Sequence, residues 1–384
     1  MYRTGFAKLP LHYGRAPQYL VVRMQKLAKE IVNIIVDEYG PDEFLRRISD
    51  PFWFQALGCV LGYDWHSSGV TTVVTGILKN AIVPEEHSIA VCGGKGRASR
   101  RTPEEIMNSG ENFGFSDSTI RSIQYASRMS AKVDNTAIQA GYQLYHHALF
   151  LTKDRKWAVV QQGMSVSDGT ARRYHWLSDK VENFVIEPHN AIVCDVEKER
   201  VLNMTAKQSE DSRKASVEIV KENPNRLMNT LTPVLPNGQK LLNQWIPTDS
   251  EHNCKEPLDF ISMPRRINWK TMKKLYDFQP KNYEEFLAFK GVGPATVRGL
   301  ALIAEIIYGE KPSWTDPVKY SYAYGGKDGV PFPVNRKAMD DSILVLKQAV
   351  EAARIGEKDR MRSLQRLRHL IPQSSSQELK RGPL

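Results

Sequence analysis

Residues 282–309, NYEEFLAFKGVGPATVRGLALIAEIIYG, carry the pattern that decides how the C-terminal half folds. Asn282 can cap a short helix, with Glu285 three residues on as its reciprocal partner. That helix ends at Phe289-Lys290. Gly291-Val292-Gly293 then reverses the chain, and a second helix is predicted from Pro294 to about Tyr308, where Gly309 stops it. A turn this tight asks for positive φ, which glycine adopts freely, and the missing Cβ lets an outside group come close to the backbone. The amides that open the second helix have no partner within it, and the helix dipole favours an anion there. Val292, Ala295, Val297, Ala301 and Leu302 supply apolar packing.

Upstream, apolar residues three or four apart predict an amphipathic helix over 18–39, stopped by Gly40-Pro41, and a short helix follows over Asp42–Ile48. The apolar segment PFWFQALGCVLGYDWHSSG reads as buried core running into a tight loop at Asp64–Gly69. A strand over Ile89–Cys92 enters the basic loop GGKGRASRR, and Thr102 then opens a helix with Glu105 completing a capping box. YQLYHHALFL, the turn TKDRK and WAVVQQGM form a predicted β-hairpin within 142–164. SVSDGTARRYHW reads as a polar loop, 209–221 as a charged helix, and 341–355 and 359–370 as two more helices. The expectation is an α+β protein. A mixed N-terminal domain over 1–222, with a sheet containing the β-hairpin, is followed by a linker over 223–250, an all-α domain over 251–371 and a disordered tail over 372–384.

The 384-residue chain is 41% apolar and carries a net charge of +10, which fits a globular protein with a polyanionic partner. Cys59, Cys92, Cys194 and Cys254 lie far apart, against a disulfide framework or a cysteine zinc site. The opening MYRTGFAKLPLHYGR lacks the apolar core of a secretory leader, and nothing approaches the roughly 18 apolar residues of a membrane span. A cytoplasmic protein without a membrane partner is expected.

Several groups are candidates for chemistry. Asp64 and His66, two apart in a glycine-ended loop, suit an acid–base pair, although Ser67 and Ser68 could equally make the loop a helix cap. Lys95 and Arg97 lie in a loop that suits phosphate, or is simply a solvated basic turn, and it lacks P-loop spacing. His146 and His147, adjacent on a strand, should point to opposite faces, so they do not form a metal pair. His147 faces Gln161 and Gln162 across the hairpin, and Arg172 and His175 follow in the next segment. A polar pocket built from Asp64, His66, His147, Gln162, Arg172 and His175 is the expectation. A magnesium or manganese site drawn from distant carboxylates stays open. Tyr320–Lys327 and the basic helix RMRSLQRLRHL read as either packing or nucleic-acid contacts.

GVGPATV closely resembles the helix-hairpin-helix family. The resemblance implies a grip on DNA backbone without sequence reading, through Lys290, Gly291, Gly293, Thr296 and Arg298. Some relatives of that motif are base-excision glycosylases. Those with lyase activity have a lysine where Ala295 stands, which implies no lyase chemistry here. Their aspartate has a late counterpart in Asp316 of PSWTDP, so a monofunctional glycosylase using Asp316 is an alternative. LPLHYGRAP, SDPFWFQALGCVLGYDWHSSGVTT, GGKGRASRRTPEEI, YHHALF with WAVVQQGM, ARRYHW and DPVKYSYAYGGKDGVPFPVNRK resemble the archaeal and bacterial family called domain of unknown function 763. That resemblance covers nearly the whole chain and brings no reaction with it. The reading is a DNA-binding protein and DNA-processing or repair enzyme of nuclease type. A non-enzymatic binder or adaptor is the other reading.

Overall fold

The strand pair predicted over 142–164 forms the middle of a five-stranded antiparallel sheet in a computed structural model, which describes residues 18–62, 68–194, 196–225, 268–318, 336–353 and 356–368. The strands are β1 (Ile89–Lys95), β3 (Gln143–Thr152), β4 (Trp157–Ser165), β5 (Thr170–Leu177) and β6 (Ala191–Val193), in the order β1-β3-β4-β5-β6. Two short strands, β2 (Ile138–Gln139) and β7 (Leu202–Asn203), pair on their own. The architecture is α+β, as expected.

Alternation along the strands gives the sheet two apolar faces, both covered. Leu149, Leu151, Val159, Tyr174 and Trp176 share one core with α6 (Thr102–Asn112), α7 (Asp117–Lys132) and α8 (Glu210–Lys221). The same core takes in α9 (Trp269–Phe278), α10 (Tyr283–Ala288) and α11 (Pro294–Tyr308). Ala148, Phe150, Ala158, Val160 and Leu177 face the other way. They pack with α1 (Gln18–Tyr39), α2 (Pro41–Ile48), α3 (Pro51–Val60) and α4 (Gly69–Ala81). A short helix, α5 (Pro84–His87), leads into β1.

These cores do not follow the expected division of the chain. Met272, Leu275, Phe286 and Leu300 join the first core, whereas Leu346, Ala349 and Val350 of α12 (Arg336–Ala352) join the second. The last described helix, α13 (Glu357–Arg368), packs on α12 and α3. The helices expected as one domain over 251–371 thus serve opposite faces of the sheet. The boundary at 222 cuts a core that α8 shares with α11. The expected linker, beyond its first three residues, and the expected tail fall outside the described residues. No described helix is long and apolar enough to cross a membrane.

PFWFQALGCV is buried as expected, as a helix with Asp50 Oδ1 accepting from the amides of Phe52 at 2.7 Å and Trp53 at 3.1 Å. Two local readings need correction. The segment TARRYHWL is strand β5, not a loop, and all eight residues are buried. Its two arginines and histidine disguise a central strand because each finds a buried partner. Glu105 completes no capping box; its Oε2 accepts from Gly93 N and from Lys79 Nζ, both at 2.6 Å. A Cβ at Gly93 would collide with the His147 carbonyl, so only glycine lets β1 approach β3 there.

Candidate functional site

The turn at 291–293 is held from below. Asn282 Oδ1 accepts from Glu285 N at 2.9 Å and starts α10 as expected. Gly291 sits at φ +101°, in the region that favours glycine. Gly293, expected to need the same freedom, is extended at φ −137° and has open space where a Cβ would be. It opens α11 with no side-chain cap. Lys132 Nζ, at the end of α7, donates to Val292 O, and Gln139 Nε2 donates to Pro294 O at 2.8 Å. The carbonyl of Val292 in the turn and that of Pro294 at the start of α11 are thereby anchored to the end of α7 and to β2.

Outside, the surroundings are basic. Lys290 is exposed. Thr271 of α9 lies against Gly291, and its helix neighbours Lys270 and Lys274 are exposed. Arg128, exposed on α7, stands one helical turn before Lys132. Two expected contacts are not on this surface as free groups. Thr296 is buried, and Arg298 is half-buried. Lys95 and Arg97 are exposed at the end of β1, with Lys95 Nζ 6.0 Å from the centre of the Tyr145 ring.

The expected polar pocket does not form as one site. Register sets His147 against Gln161 and His146 against Gln162, so neighbouring polar residues part to opposite faces. On the first face, Ser127 Oγ lies 2.9 Å from His147 Nε2, and His147 Nδ1 lies 2.7 Å from Gln161 Oε1. Gln161 Nε2 donates to Ser130 O at 3.0 Å and to Asp134 Oδ2. Because the amide oxygen of Gln161 can only accept, His147 carries its proton on Nδ1 and Ser127 donates to Nε2. On the second face, Gln162 accepts from Thr71 Oγ1 and donates to Ser68 O at 2.8 Å and to Tyr145 OH. Arg173 Nε donates to His175 Nε2 at 2.9 Å, and His175 Nδ1–H donates to Ile48 O at 3.2 Å. His147 and Arg172 thus belong to one face, Gln162 and His175 to the other. Asp64 and His66 fall outside the described residues.

Burial keeps these imidazoles neutral. It holds His146 down at about 3, with His147 and Lys95 adding to the effect. It pulls His175 well below the ordinary value, helped by the Arg173 guanidinium, and lowers His147 as well.

Asp316, which looked partnerless in the sequence, meets Arg172 in a fully buried bidentate pair of 2.6 and 3.0 Å. It also accepts from Lys198 N at 2.9 Å and Val318 N at 3.2 Å. Its lone pairs are spoken for, which does not suit a group that must stabilise a developing sugar cation. Among the described residues, no three His, Cys, Asp or Glu side chains converge as a metal site requires.

Sequence reasoning missed Ser127, Asp134 and His189. Asp134 lies in a π-turn over Val133–Ala137 that ends α7, and it is fully buried, accepting from Gln161, Trp176 and His189. An aspartate directly after the apolar Val133 in KVDNTAI was the available signal.

Comparisons with curated proteins and with solved structures gave no match. A family model described as protein of unknown function (DUF763) matches residues 5–334, most of the chain including the sheet and the α10–α11 turn, and the chain belongs to that family.

Proposed function

We propose that the protein binds the phosphate backbone of duplex DNA through the α10–turn–α11 hairpin. The observation that carries this reading is an uncapped helix N-terminus, presented by a Gly291-Val292-Gly293 turn that follows the exposed Lys290 and packs on α9, whose Lys270 and Lys274 are exposed. Free amides and a helix dipole hold one phosphate, and lysines hold its neighbours. None of these groups reads a base edge, so affinity should be nearly independent of sequence. The net charge of +10 supports the same partner.

Binding is favoured over cleavage. Of the polar groups expected to cut a phosphodiester bond, the four among the described residues, His147, Gln162, Arg172 and His175, are split between two faces of the sheet and hydrogen-bonded to other residues. A metal-dependent nuclease using Mg²⁺ or Mn²⁺ finds no convergent set of ligands among the described residues.

Fluorescence anisotropy with labelled duplexes of unrelated sequence tests the proposal. Affinities within about threefold of one another at low salt are expected, with labelled strands left intact after incubation with Mg²⁺ or Mn²⁺. No binding at low salt, or tight binding to one sequence alone, contradicts the backbone reading. Metal-dependent strand cleavage restores the nuclease reading.

A further inference from the structure

The network on the first face ends at a cavity. His189 Nε2–H donates to Asp134 Oδ1, while Asp134 Oδ2 takes Trp176 Nε1–H at 3.0 Å and Gln161 Nε2–H. The His189 ring lies against Trp176, with centroids 4.4 Å apart. One imidazole nitrogen is thereby fixed as a donor and the ring is held in place. The other, Nδ1, makes no hydrogen bond to a described residue, and His189 lines a cavity of about 300 Å³. That volume suits a small ligand.

Three further features mark the cavity as more than a gap in the surface. Glu187 on its rim has φ +43°, a backbone conformation that a glutamate adopts only at a cost, and its N–H is tied to Thr205 O at 2.8 Å. Asn203 Oδ1 is filled by the Thr205 amide at 3.1 Å and hydroxyl at 2.7 Å, which turns the side-chain amide of Asn203 into a donor for an incoming group. Asp316 closes the far side but is saturated by Arg172 and two backbone amides. Ile192 and Val318 give apolar walls.

The cavity offers the His189 imidazole and Glu187 carboxylate as acceptors and the Asn203 amide as a donor, with Gln208, Ser313 and Thr315 as further neutral polar groups, between apolar walls. No lysine or arginine lines it, and Lys207 approaches Glu187 only at 3.9 Å in an exposed pair. A phosphate would meet two carboxylates and no cation. A flat, neutral heterocycle with adjacent N–H and acceptor atoms matches both the polarity and the walls.

We infer that this cavity binds a nucleobase, with His189 Nδ1 accepting from a ring N–H, Glu187 accepting from a second N–H and Asn203 donating to a ring acceptor. The base is either free, as base or nucleoside, or unstacked from a strand. The cavity is read independently of the hairpin, so base binding without duplex affinity upholds this inference and rejects the other.

The test is calorimetry on the full chain with adenine, guanine, cytosine, uracil and their nucleosides, with inorganic phosphate as a control. Single-stranded oligonucleotides containing 2-aminopurine, read by fluorescence, form the second arm. At least one base or nucleoside, or quenching of the 2-aminopurine, should report binding, and phosphate should give none. Binding confined to the oligonucleotide identifies the base as one held in a strand. His189→Gln keeps a donor for Asp134 but shifts the acceptor away from the ring Nδ1 position and loses the ring held against Trp176, and should weaken binding at least tenfold. Since that change touches a buried network, Glu187→Gly is the second variant: glycine relieves the positive φ, so thermal stability should hold while binding weakens at least fivefold. No response from any base, nucleoside or oligonucleotide overturns the inference. So does phosphate binding at the same site, or a folded Glu187→Gly variant that binds as the parent does.

Discussion

A Cβ on Gly291 would lie 2.8 Å from Thr271 Oγ1, on a backbone already at φ +101°, whereas a Cβ on Gly293 meets nothing within 4 Å. Gly291→Val should therefore cost roughly 1–3 kcal/mol from the backbone alone, with the Thr271 clash in addition. Gly293→Ala should change stability by less than about 0.5 kcal/mol, as a surface substitution without strain does. Urea denaturation of the two variants separates them; equal losses would mean that the turn is not held as described. A second expectation concerns Asp316. Asp316→Asn leaves the Arg172 guanidinium buried without its carboxylate, at a cost of about 3–5 kcal/mol, and the double variant Arg172→Met/Asp316→Leu should lose less than the single one. A double variant worse than Asp316→Asn would show that the pair does more than neutralise itself.

The β3–β4 hairpin, α1, α8 and the α10–α11 pair were legible because each has an uninterrupted period or a capped boundary. His146 and His147 were correctly expected on opposite faces for the same reason. Strand β5 was not legible: TARRYHWL has the composition of a loop, and only distant partners, Asp316 for Arg172 and Gln55 and Pro51 for Arg173, make it a core strand. Asp134 and His189 stayed hidden because the sequence separates them by 55 residues, and nothing local announces the bond between them. The hold of α7 on the turn was equally invisible. Lys132→Met removes a charged donor from Val292 O, worth about 1.5–3 kcal/mol. Hydrogen exchange should quicken at the amides of 291–297 more than in β3 and β4. Uniform acceleration along the chain would instead mean a global loss of stability.

The histidines buried as neutral groups give the fold a dependence on acid. His146, His147 and His175 take up protons in the unfolded chain below about pH 6.5, while in the fold burial delays this, to about 3 for His146. The unfolded state binds more protons in that window, so stability is level above about pH 7.5 and falls as pH drops below 6.5, by about 1.4 kcal/mol per pH unit for each histidine involved. The urea midpoint should fall steeply between pH 7 and 5, and less steeply in His146→Gln; a level midpoint across that range contradicts the burial described. The shared cores have their own consequence. A fragment over 251–384 leaves Met272, Leu275, Phe286 and Leu346 without the sheet and helices they pack against, and should show no cooperative thermal transition. The hairpin must therefore be judged in the full chain. The decisive experiment is the affinity of the full chain for duplex DNA over a range of salt concentrations, beside the variant Lys270→Ala/Lys274→Ala/Lys290→Ala. The parent should lose affinity linearly on a log–log plot, and the variant's slope should be shallower by about 2.7 if each lysine meets one phosphate at about 0.9 apiece. A parent whose affinity ignores salt, or a variant with an unchanged slope, contradicts the hairpin as the surface that holds DNA.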